Sequence, residues 1–207
     1  MKQLLLGLGC WFCLVNGLAA AEPPGGYALR EGDIVFSGSP VGQGEAIMAA
    51  TGSRFTHCGI VFMREGRLMV LEAVQPVRVT TVAAFMQTRR PAVVAVRRLK
   101  VPLTQEAGAK AKVWAAAQIG RDYDARFEWG DDKLYCSELV WKVFEKAGVR
   151  LCEPRRVRDY NLQHPKVRET IRARFGANAN LRLDEKVVAP SDLAASPLLE
   201  VVRREKE

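Results

Sequence analysis

Predicted strands are gathered in one block of the chain, and this arrangement narrows the fold class more than any other sequence feature. Short apolar segments with strand character recur in the first half, and Glu65-Gly66 separates two of them as a hairpin turn. Predicted helices lie before and after the strands instead of alternating strictly with them, which favours an α+β fold over a doubly wound parallel sheet. The predicted strands span residues 33–37, 56–63, 68–74 and 92–99.

The predicted helices carry clear end signals. Thr104 is a suitable N-cap for a helix that continues to Gln118, and Gly148 ends a helix that starts near Cys136. Proline is favoured in the first turn, and Pro165 begins a later helix that Gly176 closes. Shorter helices are predicted at residues 43–50 and 81–88, and a last edge strand at residues 201–202.

The first 21 residues have the pattern of a cleaved secretory signal. Lys2 precedes an apolar run over residues 4–15, and the segment closes with small residues at 19–21. The run is shorter than the roughly 20 residues of a membrane-spanning helix, and a buried apolar helix is the alternative reading. Gly7 stands where a lipobox needs a residue such as Leu, so we expect no lipid anchor at Cys10. We therefore predict a soluble single domain over residues 22–207, secreted across the inner membrane to the periplasm or beyond.

The mature chain is predicted to be basic. Loss of residues 1–21 removes Lys2 and no acidic residue, so the net charge of +8 becomes +7. Nucleic acid is an unsuitable partner for an exported protein without an interleaved aromatic and basic motif. An anionic envelope surface or an acidic substrate fits the charge, and a solvated basic face without a partner is the alternative. The sequence leaves the oligomeric state open.

The cysteine count directs attention to one thiol. Cleavage of the signal leaves Cys58, Cys136 and Cys152, an odd number for an oxidising compartment, where at least one thiol then lacks an internal partner. A disulfide between Cys58 and Cys152 would leave Cys136 alone, but the sequence does not decide whether that disulfide forms.

Cys136 has the surroundings of a nucleophile. It is predicted in the first turn of a helix, where unpaired N–H groups and the positive end of the helix dipole favour a thiolate. The same N–H groups can stabilise an oxyanion that forms beside the sulfur. An apolar stripe further along the helix fixes it against a sheet. A buried structural cysteine is the alternative interpretation.

His57 is the candidate base. The chain has two histidines, and His164 lies in a basic late segment where we expect no catalytic role. His57 begins a predicted strand, and period-two alternation places it and Cys58 on opposite faces, so Cys58 is expected to pack away from the site. That alternation and the lack of a metal-binding motif argue against zinc, so no metal and no cofactor are predicted.

Glu72 is the candidate for a third catalytic group. A carboxylate within a predicted apolar strand is costly unless it is paired or hydrogen-bonded. A cysteine–histidine pair usually needs a group that holds the imidazole tautomer, and Glu72 can supply it for His57. The alternative is a salt bridge between Glu72 and an arginine.

Several sequence blocks, in the same order, resemble the YiiX/YaeF-like permuted members of the NlpC/P60 papain-like superfamily. They are a Gly-Asp strand at residues 31–36, a histidine strand at 56–61, the segment at 71–74, the cysteine block at 120–143 and a closing segment at 188–193. The resemblance implies a circularly permuted papain-like fold, in which an antiparallel sheet or partial barrel packs against helices. Histidine then precedes cysteine along the chain.

The resemblance also implies roles for individual residues. Cys136 is the expected nucleophile, His57 the base and Glu72 the orienting residue, while Tyr123 matches a tyrosine that looks into the site and can assist the oxyanion. A core aromatic with a bonded hydroxyl is the alternative for Tyr123.

These roles predict an exported cysteine hydrolase that cleaves an amide or ester bond through a thioester. Envelope peptides, muropeptides, N-acyl amino acids and lipids are the expected substrates. Two alternatives stay open: a lipid acyltransferase or phospholipase of the lecithin:retinol acyltransferase-like type, and an envelope binding protein without catalysis. The first is disfavoured because that group tends to carry a second histidine where this chain has Glu72.

Overall fold

The computed structural model describes residues 28–88, 94–176 and 181–203, and the predicted signal at residues 1–21 lies outside them. The described strands are β1 (Ile34–Ser37), β2 (His57–Arg64), β3 (Arg67–Glu72), β4 (Arg78–Thr81), β5 (Val94–Leu99), β6 (Arg155–Arg156), β7 (Lys186–Val187) and β8 (Leu199–Arg203). The α-helices are α1 (Gln43–Thr51), α2 (Val82–Thr88), α3 (Gln105–Ala116), α4 (Cys136–Lys146), α5 (Pro165–Phe175) and α6 (Pro190–Ala194).

Six strands form one sheet in the order β4-β3-β2-β1-β5-β8, and every neighbouring pair is antiparallel. The predicted α+β class is confirmed: helices pack against an antiparallel sheet. The hairpin between β2 and β3 turns at Glu65 and Gly66, both with positive φ, as a two-residue hairpin loop requires. Strand β4 was missed by the sequence analysis, which placed a helix from residue 81; that helix, α2, begins one residue later.

Helix α4 is the central helix of the fold. Its residues from Cys136 to Phe144 are all buried, and they pack against the face of the sheet that carries Phe36, Cys58 and Ile60. The opposite face of the sheet packs in a second cluster with Phe85 of α2. Because side chains alternate along each strand, the two faces of the sheet carry two separate apolar cores. Helix α4 belongs to the first of them.

The Gly-Asp motif before β1 has a structural role. Asp33 is fully buried, and its carboxylate oxygens accept hydrogen bonds of 2.7 and 2.8 Å from two guanidinium nitrogens of Arg98 on β5. The backbone N–H of Arg30 donates a further bond of 2.7 Å. Such a two-pronged pair compensates for burial of the charge and ties the start of β1 to β5.

Helix ends follow the predicted chemistry. The side chain of Thr104 accepts a hydrogen bond from the N–H of Ala107, and Gly148 follows α4 with a φ of 81°. His164 caps α5 by accepting the N–H of Lys166, which gives this histidine a local structural role. Within the described ranges, no helix is long and apolar enough to cross a membrane.

Candidate active site

Cys136 is the first residue of α4 and lies at the N-terminus that the sequence predicted. Tyr135 precedes it in an extended conformation, and the carboxylate of Glu138 accepts the backbone N–H of Tyr135. The Cys136 side chain is buried at 3% exposure but borders a cavity, so a substrate carbonyl can reach its sulfur from that side. The backbone N–H groups of the first helical turn have no partner inside the helix and can stabilise negative charge at the site.

His57 lies at the start of β2 and is held by a carboxylate. Its Nε2 atom is 2.8 Å from Oε2 of Glu72, and the ring stacks on Phe85 with centroids 6.0 Å apart. Because Nε2 contacts Glu72, the nitrogen available to the sulfur is Nδ1. His57 hydrogen-bonds the Cys136 side chain and contributes to the low pKa of this thiol. The structure therefore brings together the three residues that the sequence predicted as nucleophile, base and orienting group.

Glu72 contacts both His57 and an arginine. This side chain is almost completely buried, and its second oxygen accepts hydrogen bonds from Arg78 at 3.0 and 3.1 Å. Arg78 faces Glu72 in the register between β3 and β4. The guanidinium thus pairs with one oxygen of the carboxylate while the other oxygen contacts His57. Sequence analysis missed Arg78 because it did not predict β4.

A glycine permits the close approach between the histidine strand and the carboxylate strand. A Cβ atom at Gly59 would lie 2.7 Å from a side-chain carbon of Val70 and 2.9 Å from the carbonyl oxygen of Leu71. Such contacts are too short for any side chain, so β3 would have to move away from β2. Gly59 therefore keeps Glu72 within hydrogen-bonding distance of His57.

Cys58 lies beside the nucleophile, and the prediction that it packs away from the site was wrong. The alternation itself is confirmed, since Cys58 belongs to the core under α4 while His57 packs on Phe85 on the other face. However, α4 covers the Cys58 face, and the Cys136 side chain hydrogen-bonds the side chains of both Cys58 and His57.

The pKa of the Cys136 thiol lies well below its usual range. The largest cause is the hydrogen bond from the Cys58 side chain; burial acts in the opposite direction, and the charge and hydrogen bond of His57 lower the pKa further. Burial and the adjacent Cys136 raise the pKa of Cys58, so Cys58 stays a thiol and can donate. The site therefore favours a Cys136 thiolate beside a histidine, which is the reactive form of a cysteine nucleophile.

Tyr123 lies next to this site and is held from two sides. Its backbone N–H donates to Oε1 of Gln75, and its hydroxyl accepts a 3.0 Å hydrogen bond from Nε2 of Gln43. Burial raises the pKa of Tyr123, as does the negative charge of Cys136. The tyrosine therefore remains a neutral hydroxyl that senses the charge of Cys136. Gln43, from α1, carried no signal in the sequence beyond its position in a short helix.

The loop after Tyr123 forms one wall of the site. Asp124 is buried, and its two carboxylate oxygens accept the backbone N–H groups of Arg126 and Glu128 at 2.8 and 2.6 Å. These bonds hold Phe127 with a positive φ of 57°, a conformation that is uncommon for an aromatic residue. The Phe127 ring packs edge-on against Tyr135, with centroids 5.2 Å apart.

A large apolar cavity opens beside Cys136. It has an empty volume of about 930 Å³ including its mouth, and α1 and α5 each supply five of its lining residues. The aliphatic and aromatic lining includes Ala46, Ile47, Ala50, Val167, Ile171 and Phe175.

The three cysteines of the described residues are free thiols, so the structure contains no Cys58–Cys152 disulfide. In the described ranges, no three His, Cys, Asp or Glu side chains come together as a set of metal ligands.

Comparison with known proteins identifies the family. The family model described as permuted papain-like amidase enzyme, YaeF/YiiX, C92 family, matches residues 28–203. The chain belongs to this family. The C92 family is one of cysteine-type amidases, so the predicted enzyme class, a hydrolase with a permuted papain-like fold, is confirmed.

Two relatives of the C92 amidase are known from Escherichia coli. The chain is 33% identical over 193 residues to the uncharacterized protein YiiX of strain K12, covering 93% of this chain and 95% of that protein. The crystal structure of metalloprotein YiiX from strain O157:H7 has a TM-score of 0.80 and 35% identity, covering 86% of this chain and 98% of that chain. The resemblance to YiiX/YaeF-like proteins is thus confirmed in sequence and in fold.

Proposed function

We propose that this amidase hydrolyses the amide bond of an N-acylated amino acid or a similar acyl amide, outside the cytoplasm. The single observation that carries this proposal is the apolar cavity in whose wall Cys136 lies. A nucleophile at the edge of an apolar cavity is well placed to attack the carbonyl of an acyl chain held inside it. An acyl chain is apolar and therefore suits this apolar lining better than a polar peptide does.

A positive charge at the cavity supports a substrate whose amino-acid part carries a carboxylate. Arg126 is exposed, lines the cavity and lies over the ring of Phe175, 5.4 Å from its centroid. The amino-acid part of an N-acyl amino acid carries a carboxylate, which a guanidinium can bind with two hydrogen bonds. Substrate recognition would then combine burial of the acyl chain with an ion pair near the mouth.

The proposed reaction proceeds through a thioester. The Cys136 thiolate attacks the carbonyl carbon, and the backbone N–H of Cys136 with the hydroxyl of Tyr123 stabilises the oxyanion. His57, as an imidazolium held by Glu72, gives its Nδ1 proton to the amine as the carbon–nitrogen bond breaks. His57 then removes a proton from water, which attacks the thioester and releases the fatty acid and the thiolate.

A chain-length series tests this proposal. Purified protein is incubated with acetyl-, decanoyl- and palmitoylglycine and with muropeptides, and the products are identified by mass spectrometry. We expect release of glycine and fatty acid, with kcat/KM rising from acetyl to the longer chains, and no turnover by Cys136→Ala. Cleavage of muropeptides alone would contradict the proposal.

The same experiment separates hydrolysis from acyl transfer. The assay is repeated with a lysophospholipid or an amine as acceptor, and incorporation of labelled decanoyl groups is measured. Transfer to an acceptor in preference to water would favour the lecithin:retinol acyltransferase-like alternative. Absence of any Cys136-dependent product from all substrates would favour a binding protein.

Export is also part of the proposal and depends on residues 1–21. Expression of the full chain in a bacterium, followed by fractionation and intact mass, is expected to give a periplasmic or secreted product that starts near Glu22. Replacement of the small residue Ala19 by Arg should block cleavage and leave the longer chain in the membrane fraction. A full-length cytoplasmic product from the unaltered chain would overturn this part.

A further inference from the structure

A chain of three polar side chains leads from α5 to Tyr123. The guanidinium of Arg174 donates to Oε1 of Gln43 at 2.5 Å, and Nε2 of Gln43 donates to the Tyr123 hydroxyl at 3.0 Å. Arg174 is itself held by a bond of 2.9 Å to the carbonyl oxygen of Ala125, and it lies over the Phe127 ring. The three residues are far apart in sequence, so only tertiary packing of α1, α5 and the Tyr123 segment brings them together.

The chemistry of these groups sets the direction of each hydrogen bond. An arginine can only donate, so the side-chain atom of Gln43 that faces Arg174 must be the oxygen. The amide nitrogen of Gln43 then faces Tyr123 and donates to its hydroxyl. A tyrosine hydroxyl has one proton, and because its oxygen already accepts from Gln43, this proton points elsewhere.

Tyr123 is also a neighbour of the reaction centre. Tyr123 packs against the core cluster that contains Cys136, and the charge of Cys136 acts on the Tyr123 hydroxyl. Gln43, Arg174 and Cys136 border the same cavity. The hydroxyl proton is thereby available to the oxyanion that forms when Cys136 attacks a carbonyl.

We infer that Gln43 and Arg174 are positioning residues that make Tyr123 an oxyanion donor. Arg174 orients the Gln43 amide, and the amide orients the Tyr123 hydroxyl toward the developing negative charge. This inference rests on the proposed function in one respect, since it assumes a tetrahedral intermediate at Cys136. It makes stabilisation of the oxyanion depend on Arg174 of α5, a helix that also lines the cavity.

The substitution Gln43→Glu tests the direction of the hydrogen bonds without changing side-chain size. A carboxylate at this position still accepts from Arg174 but cannot donate to Tyr123, so the hydroxyl proton would turn toward residue 43. With decanoyl para-nitroanilide as substrate, we expect kcat to fall by about 10²–10³-fold with KM changed less than about threefold. Tyr123→Phe should give the same loss, and the double variant no additional loss.

A second readout requires no turnover. Decanal forms a hemithioacetal with the Cys136 sulfur, whose oxygen occupies the oxyanion position, and it protects the thiol against iodoacetamide. We expect Gln43→Glu to weaken protection by decanal by about tenfold, the value of one hydrogen bond, while alkylation without decanal keeps its wild-type rate. Alkylation needs no oxyanion donor, so it reports whether the fold and the thiolate are intact.

The control is Gln105→Glu, at an exposed position in the first turn of α3, where an acidic side chain is tolerated. This variant should behave as wild type in both assays. Wild-type kcat and wild-type decanal protection in Gln43→Glu would overturn the inference, as would an equal fall in kcat and alkylation rate. Failure of the wild type to cleave both the anilide and decanoylglycine contradicts the proposed function alone, because decanal protection still tests the hydrogen-bonded chain of Arg174, Gln43 and Tyr123.

Discussion

The Nε2 atom of His57 lies 2.8 Å from Oε2 of Glu72, while Arg78 holds the other oxygen of the same carboxylate. The carboxylate is almost completely buried, so neighbouring protein groups, these two among them, support its charge in place of solvent. This pairing leaves Nδ1 of His57 to face the sulfur. The register between β2 and β3 places Glu72 beside Nε2, and it therefore decides which ring nitrogen faces the sulfur.

Replacement of Glu72 by Gln should therefore impair catalysis more than folding. The amide retains the size of the carboxylate but no longer stabilises an imidazolium, so we expect kcat to fall by about 10²–10⁴-fold on an acyl amide substrate. The matched control is Glu65→Gln, at the exposed turn of the same hairpin, which should retain wild-type activity. Full activity of Glu72→Gln would show that His57 needs no orienting group.

The low pKa of Cys136 predicts an unusual pH profile for alkylation. Because the thiolate is the reactive species and its protonation occurs well below the usual range, the iodoacetamide rate should stay high at neutral pH and fall only in acid. In His57→Ala the midpoint should move to higher pH, since the histidine charge no longer favours the thiolate. Peptide mapping identifies which cysteine is alkylated. Burial raises the pKa of Cys152 to about 12, so this thiol should react slowly at neutral pH. A wild-type midpoint near that of free cysteine would contradict the prediction.

The neighbouring thiol of Cys58 should contribute to the same profile. Cys58→Ala removes a donor to the Cys136 sulfur and is expected to raise the alkylation midpoint relative to wild type. Cys58→Ser keeps a hydroxyl donor at the same position, so its midpoint should lie closer to wild type than that of the alanine variant. Identical midpoints in all three proteins would show that Cys58 only fills space in the core under α4.

Filling the cavity should shorten the acyl chain that the enzyme accepts. Ala50 lines the cavity from α1, so Ala50→Trp is expected to lower kcat/KM for palmitoylglycine by at least about tenfold while acetylglycine turnover changes little. Ala49→Trp is the matched control, because Ala49 is half-buried on the same helix and is not part of the cavity lining. Equal effects of the two variants on every chain length would argue against acyl-chain binding in this cavity.

The buried pair of Asp33 and Arg98 should matter for stability and not for chemistry. Asp33→Ala leaves a guanidinium at 19% exposure without its bidentate carboxylate, and we expect the free energy of unfolding in urea to fall by about 3–5 kcal/mol. Glu153→Ala removes an exposed partner of Arg150 and should change stability by less than about 1 kcal/mol. Similar stabilities for both variants would refute a structural role for the Gly-Asp motif.

Local sequence patterns predicted the elements that depend on local interactions. Alternating apolar residues, the Glu65-Gly66 turn and the cap at Thr104 act over a few residues, and the structure confirms each of them. The strand β4 was not predicted because its residues, Arg78–Thr81, have no apolar alternation of their own and are ordered by pairing with β3.

The sequence by itself determined which side chains could perform the chemistry: a cysteine at a helix start, a histidine at a strand start and a carboxylate inside an apolar strand. Tertiary structure alone decided how they are supported. Arg78, Cys58, Gln43 and Arg174 reach the site through β-pairing and helix packing between distant segments, and the cavity is enclosed by α1, α5 and several other segments. The physical reason is that propensity and periodicity describe neighbours along the chain, whereas hydrogen-bond direction and enclosed volume depend on contacts between segments that no local pattern specifies.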